Sequence, residues 1–148
     1  MCMLQIREQA VQRMHRDHDD MIGLIHRIQA LCDQRSTVDN CGGCRSDQRE
    51  FCRSNVEQLV RAFVEATLKH NLMESVYMED YVPDEHRRAH NRAHMAIAER
   101  LKGIRVELSA DGNCVHAIIG IDEVLADLRS HFTEYDQQLE CYLLAPVA

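Results

Sequence analysis

The sequence is poor in chain breakers and in aromatics, with two prolines, six glycines, no tryptophan and 5% aromatic residues among 148. Few breakers leave long stretches free to run as helix, and they argue against the many short strands and Gly/Pro-rich turns of an all-β fold. No stretch is apolar for the roughly 20 positions that a membrane-spanning helix needs, so no membrane partner is expected. A basic block is missing too. Aspartate and glutamate number 24 against 17 lysines and arginines, a formal net charge of −7, and the chain therefore lacks the positive face that binds a nucleic-acid backbone. The opening MCMLQIREQAVQR is charged and amphipathic, unlike a secretory leader, and a cytoplasmic location is expected.

What the chain does have is 45% apolar residues at helical spacing, nine histidines and seven cysteines. The length suits a single domain over residues 1–148 with a real core. Met14, Met21, Ile22, Ile25, Ile28 and Leu31 place a first helix at about Met3 to Gln34. Ser36 to Asp47 is the least periodic stretch, a Cys-rich loop at about 36–47 with Gly42-Gly43 supplying the turn. The row Cys52, Val56, Leu59, Phe63, Ala66, His70, Glu74, Tyr77 predicts a second helix from about Gln48 to Asp80. His90, His94, Ile97, Leu101, Ile104 and Leu108 predict a third, from about Asp84 to Leu108, and Pro83 starts it where it is tolerated. After a turn at 109–113, a fourth is expected from about Cys114 to Leu144. Four helices on short connections predict an all-α, antiparallel up-down-up-down four-helix bundle.

Histidines fall on the buried rows of that bundle. His70 and Glu74 are four apart, as are His90 and His94, so each pair projects from one helix face. The turn at Tyr81-Val82-Pro83-Asp84 lies midway between the pairs, so folding back brings them to one height. Reflection through the other turns extends the level. The position as far before Cys44 as His70 lies after it is His18, and reflection through Gly112 or Asn113 lands between His131 and Asp136. His18 is preferred to His15 because Met21, Ile22 and Ile25 continue its face. His86, three residues after Pro83, is a weaker partner for His90, and His26 and His116 read as surface or packing residues. Imidazoles and carboxylates from neighbouring helices, facing one another in a bundle core, are a metal-ligand set.

His18 on the first helix, His70-x-x-x-Glu74 on the second, His90-x-x-x-His94 on the third and His131-x-x-x-x-Asp136 on the fourth resemble the hemerythrin family, the HHE cation-binding proteins, over nearly the whole chain. The resemblance implies a bundle around a non-haem centre of two iron ions bridged by an oxo or hydroxo group. By the same resemblance His18 and His70 bind one iron, His90, His94 and His131 bind the other, and Glu74 and Asp136 bridge them. Asp136 rests on the resemblance alone, because five residues turn an α-helix about 140° beyond a full turn. Counting positions under that assignment leaves a vacant place on the iron of His18 and His70, beside Met21, Ile22, Ile25 and Phe63. Three departures bear on the pocket lining and leave the ligand set intact. The loop between the first two helices is longer and richer in cysteine than in oxygen carriers, tryptophan is absent, and Asn71 stands where an aromatic commonly follows the second-helix histidine.

The family resemblance implies a protein that binds dioxygen or another small diatomic ligand reversibly, for storage, delivery or sensing. The alternative is a di-iron enzyme or stress protein acting on peroxide or nitric oxide, with a redox- or metal-responsive cysteine cluster. No separate acid–base or nucleophile constellation is legible. Five neutral imidazoles and two carboxylates are less charged than the ligands of carboxylate-rich di-iron oxidases, which favours the binding role. Cys32, Cys41, Cys44, Cys52 and Cys114 fall at one end of the expected bundle, Cys2 and Cys141 at the other. Cys32 is about 21 Å along the helix from His18, too far to be a ligand of the same centre. Cys41-Gly-Gly-Cys44 flanked by Cys32 and Cys52 suits a four-thiolate site for zinc or another metal, a redox dithiol, or packing thiols.

Overall fold

The computed structural model describes residues 3–32, 38 and 40–145, the side chains of Met3 and Leu4 excepted. Helix α1 spans Met3–Gln29, α2 Ser46–Tyr81, α3 Asp84–Asp111 and α4 Cys114–His131; a π-helical turn, Phe132–Asp136, joins α4 to α5, Gln137–Leu144. With α4, the π turn and α5 forming one continuous rod, the described residues make an all-helical bundle of four rods with no strand.

The boundaries follow local chemistry. Helix α1 stops before the expected Gln34: Ile28 is its last buried residue, and Leu31 N–H turns back to Ile28 O at 3.1 Å in a tightened final turn. Residues 33 and 34 of that expected helix lie outside the described residues. Helix α2 begins at Ser46, inside the expected loop, with Asp47 in its first turn where a carboxylate complements the helix dipole. Val82 and Pro83 are both extended, the geometry that proline imposes on the residue before it, and α3 starts immediately after. Helix α3 runs past Leu108 to Asp111 and ends on Gly112, whose φ of 65° lets its N–H reach Leu108 O at 2.9 Å. The Asn113 side chain then accepts from His116 N–H at 3.1 Å and caps α4.

Cross-helix contacts fix which parts of the rods meet. Arg7 Nη1 donates to Ala145 O at 3.3 Å, Gln29 Nε2 donates to Asp122 Oδ1 at 2.7 Å, and Arg100 bridges Glu123 and Asp127 at 2.6 and 2.9 Å. Close approach of α3 and α4 depends on Gly120, where a Cβ would come within 2.9 Å of Ile104 Cγ1. The core is divided. A large cluster containing Met21, Ile25, Phe63, Leu101, Ile118 and Leu128 fills the part of the bundle towards Cys114. A small one of Val11, Met14, Met78, Leu139 and Leu143 fills the other part. Between them in sequence on α1, α2 and the α4–α5 rod lie buried histidines and carboxylates, and on α3 the buried histidines precede the large cluster.

Candidate metal centre

Each rod contributes to the polar layer. His18 comes from α1, His70 and Glu74 from α2, His90 and His94 from α3, His131 from the end of α4 and Asp136 from the π turn, all buried. The i, i+4 spacing on α2 and α3 stacks each pair on one face. Asp136 reaches the layer by another route. The π turn closes with Gln137 N–H bonded to Phe132 O, a five-residue ring in place of the α-helical four. That widening takes up the extra rotation, so His131 and Asp136 face the same interior, with Asp136 Oδ1 3.0 Å from His131 Nε2.

The seven side chains form two groups with donor atoms within 4.8 Å of one another: Glu74, His90, His94, His131 and Asp136 in one, and His18, His70 and Asp136 in the other. Asp136 belongs to both. Its Oδ2 is 2.9 Å from His18 Nε2, and its Oδ1 is 2.8 Å from His90 Nε2. Glu74 also faces both sides, with Oε1 2.7 Å from His70 Nε2 and 3.3 Å from His94 Nε2, and Oε2 3.5 Å from His90 Nε2.

These distances are short, yet His18 Nε2, His70 Nε2, His94 Nε2 and all four carboxylate oxygens lack a hydrogen bond of acceptable geometry. The atoms converge on shared points and are not aligned as donor to acceptor. Buried polar atoms left in that state cost about 1–3 kcal/mol each, which a fold does not sustain without a compensating partner. Cations at the points of convergence supply one. The donor set, imidazole nitrogen and carboxylate oxygen, suits a divalent transition metal.

The electrostatics point the same way. Burial raises the carboxyl of Asp136, but His131, His18 and His90 more than reverse this and hold it well below the usual range. Glu74, also raised by burial, is brought down by His70 and His94. Burial lowers His70, and the Glu74 and Asp17 carboxylates override that to lift it to about 9. His94 is lowered, chiefly by burial. Both carboxylates are therefore anionic and poised to ligate.

Further contacts surround the layer. Asp17 Oδ2 accepts from His70 Nδ1 at 3.0 Å, orienting the ring so that Nε2 faces Glu74. His86, read above as the weaker partner of His90, is buried and joins Gln138 Oε1 at 3.2 Å to His90 Nδ1 at 3.0 Å, a relay behind His90. Phe132 stacks on His18 with ring centroids 3.7 Å apart. His15 pairs with Glu140, His26 with Gln29 and His116 with Glu107, all on the surface and outside the layer. Cys32, Cys41, Cys44 and Cys52 lie together, away from the layer, around a separate small cavity. Cys2 lies outside the described residues, and Cys141 is exposed.

A bundle of long helices with histidines and carboxylates turned inward from every rod defines a class, the helical-bundle cation-binding proteins. The model of one family within that class, the hemerythrin HHE cation-binding domain, matches residues 9–143, and the chain belongs to this family. No curated protein and no solved structure matches the chain. Metal binding follows from the family and from the buried cluster together. No helix among the described residues is long and apolar enough to cross a membrane.

Proposed function

We propose that the chain holds two iron ions on His18, His70, Glu74, His90, His94, His131 and Asp136, and binds dioxygen reversibly at that centre for storage, delivery or sensing. The observation that carries this reading is Asp136, whose two oxygens face His18 on one side and His90 and His131 on the other. A carboxylate shared by two convergent groups is what a pair of bridged ions needs and a single ion does not. Two ferrous ions, two carboxylates and one hydroxide would leave a site of low net charge, suited to binding a neutral diatomic molecule and poorly suited to stabilising high-valent iron. The iron pair would supply the redox electrons; the protein would supply fixed imidazoles and the carboxylates of Glu74 and Asp136 to hold it. The His18 and His70 group has one imidazole fewer than the other, so the exchangeable position would fall there, under Phe132, which packs against the cluster holding Met21 and Phe63. We read the rods as an antiparallel up-down-up-down arrangement in a single domain, supported by the pairing of Arg7 with Ala145 and of Gln29 with Asp122.

The test is an anaerobic ferrous spectrum followed by addition and removal of oxygen. Reversible appearance and loss of a charge-transfer band is the expected result. Irreversible oxidation, with turnover of added peroxide or nitric oxide, would replace the carrier reading with an enzymatic one. His90→Ala or Glu74→Ala should lose the iron pair while the helices remain, and full occupancy in either would overturn the ligand assignment. Azide soaked into crystals of the oxidised protein should appear beside His18 and not beside His94.

A further inference from the structure

We propose that the cluster of Cys32, Cys41, Cys44, Cys52 and Cys114 is a second metal site, in which up to four of the five thiolates hold one closed-shell thiophilic ion of the zinc(II) or copper(I) kind. The five thiols arrive from four separate places: the residue after the α1 turn, the turn before α2, the second turn of α2 and the first residue of α4. All five line one cavity of about 20 Å³. That volume admits a single body of atomic size. Among the described residues the remaining walls, apart from Gln48 and Arg49, are aliphatic, Val56, Val115 and Ile118 among them, and no carboxylate or imidazole lines the cavity. Soft thiolates select zinc or copper(I) over hard cations, which need oxygen ligands.

The surroundings suit thiolate ligation. Arg49 lines the cavity and Arg53 lies close enough to Cys114 to stabilise its anion, so two guanidinium groups offset the charge of several thiolates around one ion. Burial, with Cys41 and Cys52 nearby, pushes the Cys114 thiol up to about 12, so it is neutral until an ion arrives; a coordinating metal deprotonates a thiol outright. The hydrogen bonds at these thiols include weak sulfur contacts: Gln48 Nε2 to Cys52 Sγ at 3.4 Å, Cys52 Sγ to Leu31 O at 3.9 Å and Cys114 Sγ to Gly112 O at 3.7 Å. Among the described residues no three of the sulfurs converge within 4.8 Å, so binding must draw them inward. The Cys41–Cys44 turn, closed by Cys44 N–H on Cys41 O at 3.0 Å, carries two of the ligands together and is the part that closes.

The experiment uses the full chain, reduced without added thiols, in two arms: cadmium as the spectroscopic stand-in for zinc(II), and anaerobic copper(I) against a soft competing chelator. The expected result in at least one arm is an ultraviolet thiolate-to-metal band that saturates at one ion per chain, with a matching fall in titratable thiols. Cys41→Ser/Cys44→Ser and, separately, Cys52→Ser should lose that ion while helical circular dichroism is retained. His90→Ala should keep it, which separates this site from the iron centre, and Cys141→Ser should keep it too. No thiolate band in either arm overturns the proposal, as does full binding in both cysteine variants. A reduced protein that takes up no ion but forms a Cys41–Cys114 disulfide under mild oxidant also overturns it, in favour of a redox pair.

Discussion

Asp17 and His86 act behind the ligands. Each holds the outer nitrogen of an imidazole whose inner nitrogen faces the centre, at 3.0 Å on His70 and on His90. Outer-layer partners of metal-bound histidines typically contribute 10- to 100-fold in metal affinity. Asp17→Ala should therefore weaken metal binding by about that factor without unfolding the chain, measured by competition with a chelator. His86 was read from spacing only as a weaker partner of His90, and Asp17 was not legible as a partner at all. His18 and the i, i+4 pairs were, because helical period and turn midpoints encode the height and face of a side chain. Whether Asp17, one residue from His18, reaches α2 depends on side-chain reach and helix separation, which a sequence does not state.

His70 also gives the centre a pH signature. In the metal-free chain burial lowers it, but Glu74 and Asp17 raise it to about 9, above the ordinary 6.5. The stabilisation from its imidazolium is fully present below 6.5 and lost as pH rises through 9. Heat denaturation of the metal-free protein should accordingly shift to lower temperature between pH 7 and 9.5. A metal requires neutral His70, so loading at pH 7 must expel that proton, and affinity should rise with pH over the same window. Calorimetry in buffers of different ionisation enthalpy reads the released proton; no release at pH 7 would contradict the raised His70.

Among the elements, the π turn has the most to do with function. Periodicity alone discards Asp136, because five α-helical residues end about 140° out of register. The wider turn restores the register, and nothing in FTEYD announces it. The helix ends were more legible: Pro83, Gly112 and Asn113 mark three of them by backbone chemistry. The end of α1 carries no such marker, and its apolar pattern ran on past the last buried residue. Deleting Thr133, exposed on the π turn, should return this segment to plain α-helix and leave the aspartate at an i, i+4 spacing from His131, still on the same face. The expected outcome is unchanged helicity with the proposed metal pair retained, whereas Asp136→Ala should lose it. Full occupancy in Asp136→Ala would show that the bridging role does not depend on Asp136.

At the level of the whole molecule, the layers were readable in outline, since three rods run apolar, then histidine, then apolar, and α3 runs histidine, then apolar. Their unequal size was not, because burial depends on how the rods pack. The centre thus lies between a large apolar cluster and a small one, and without cations the layer joining them holds anionic carboxylates beside unaligned nitrogens. Such a layer resists burial by on the order of several kcal/mol. Cations would change its sign, and the two clusters would then share one cooperative unit.

In terms of amide hydrogen exchange, the divided core makes the metal a coupler of opening events. Regions exchange according to the free energy of the smallest unit that must open to expose them. With the centre loaded, residues around Met14, Met78 and Leu139 should exchange nearly as slowly as those around Ile25, Phe63 and Ile118. With the metal removed, the small cluster has little apolar area of its own, and amides near Met14, Met78 and Leu139 should speed up far more than those of the large cluster. A uniform acceleration along all four rods would show instead that packing already couples the two ends, and that the cations bind to a bundle whose folding they do not unite.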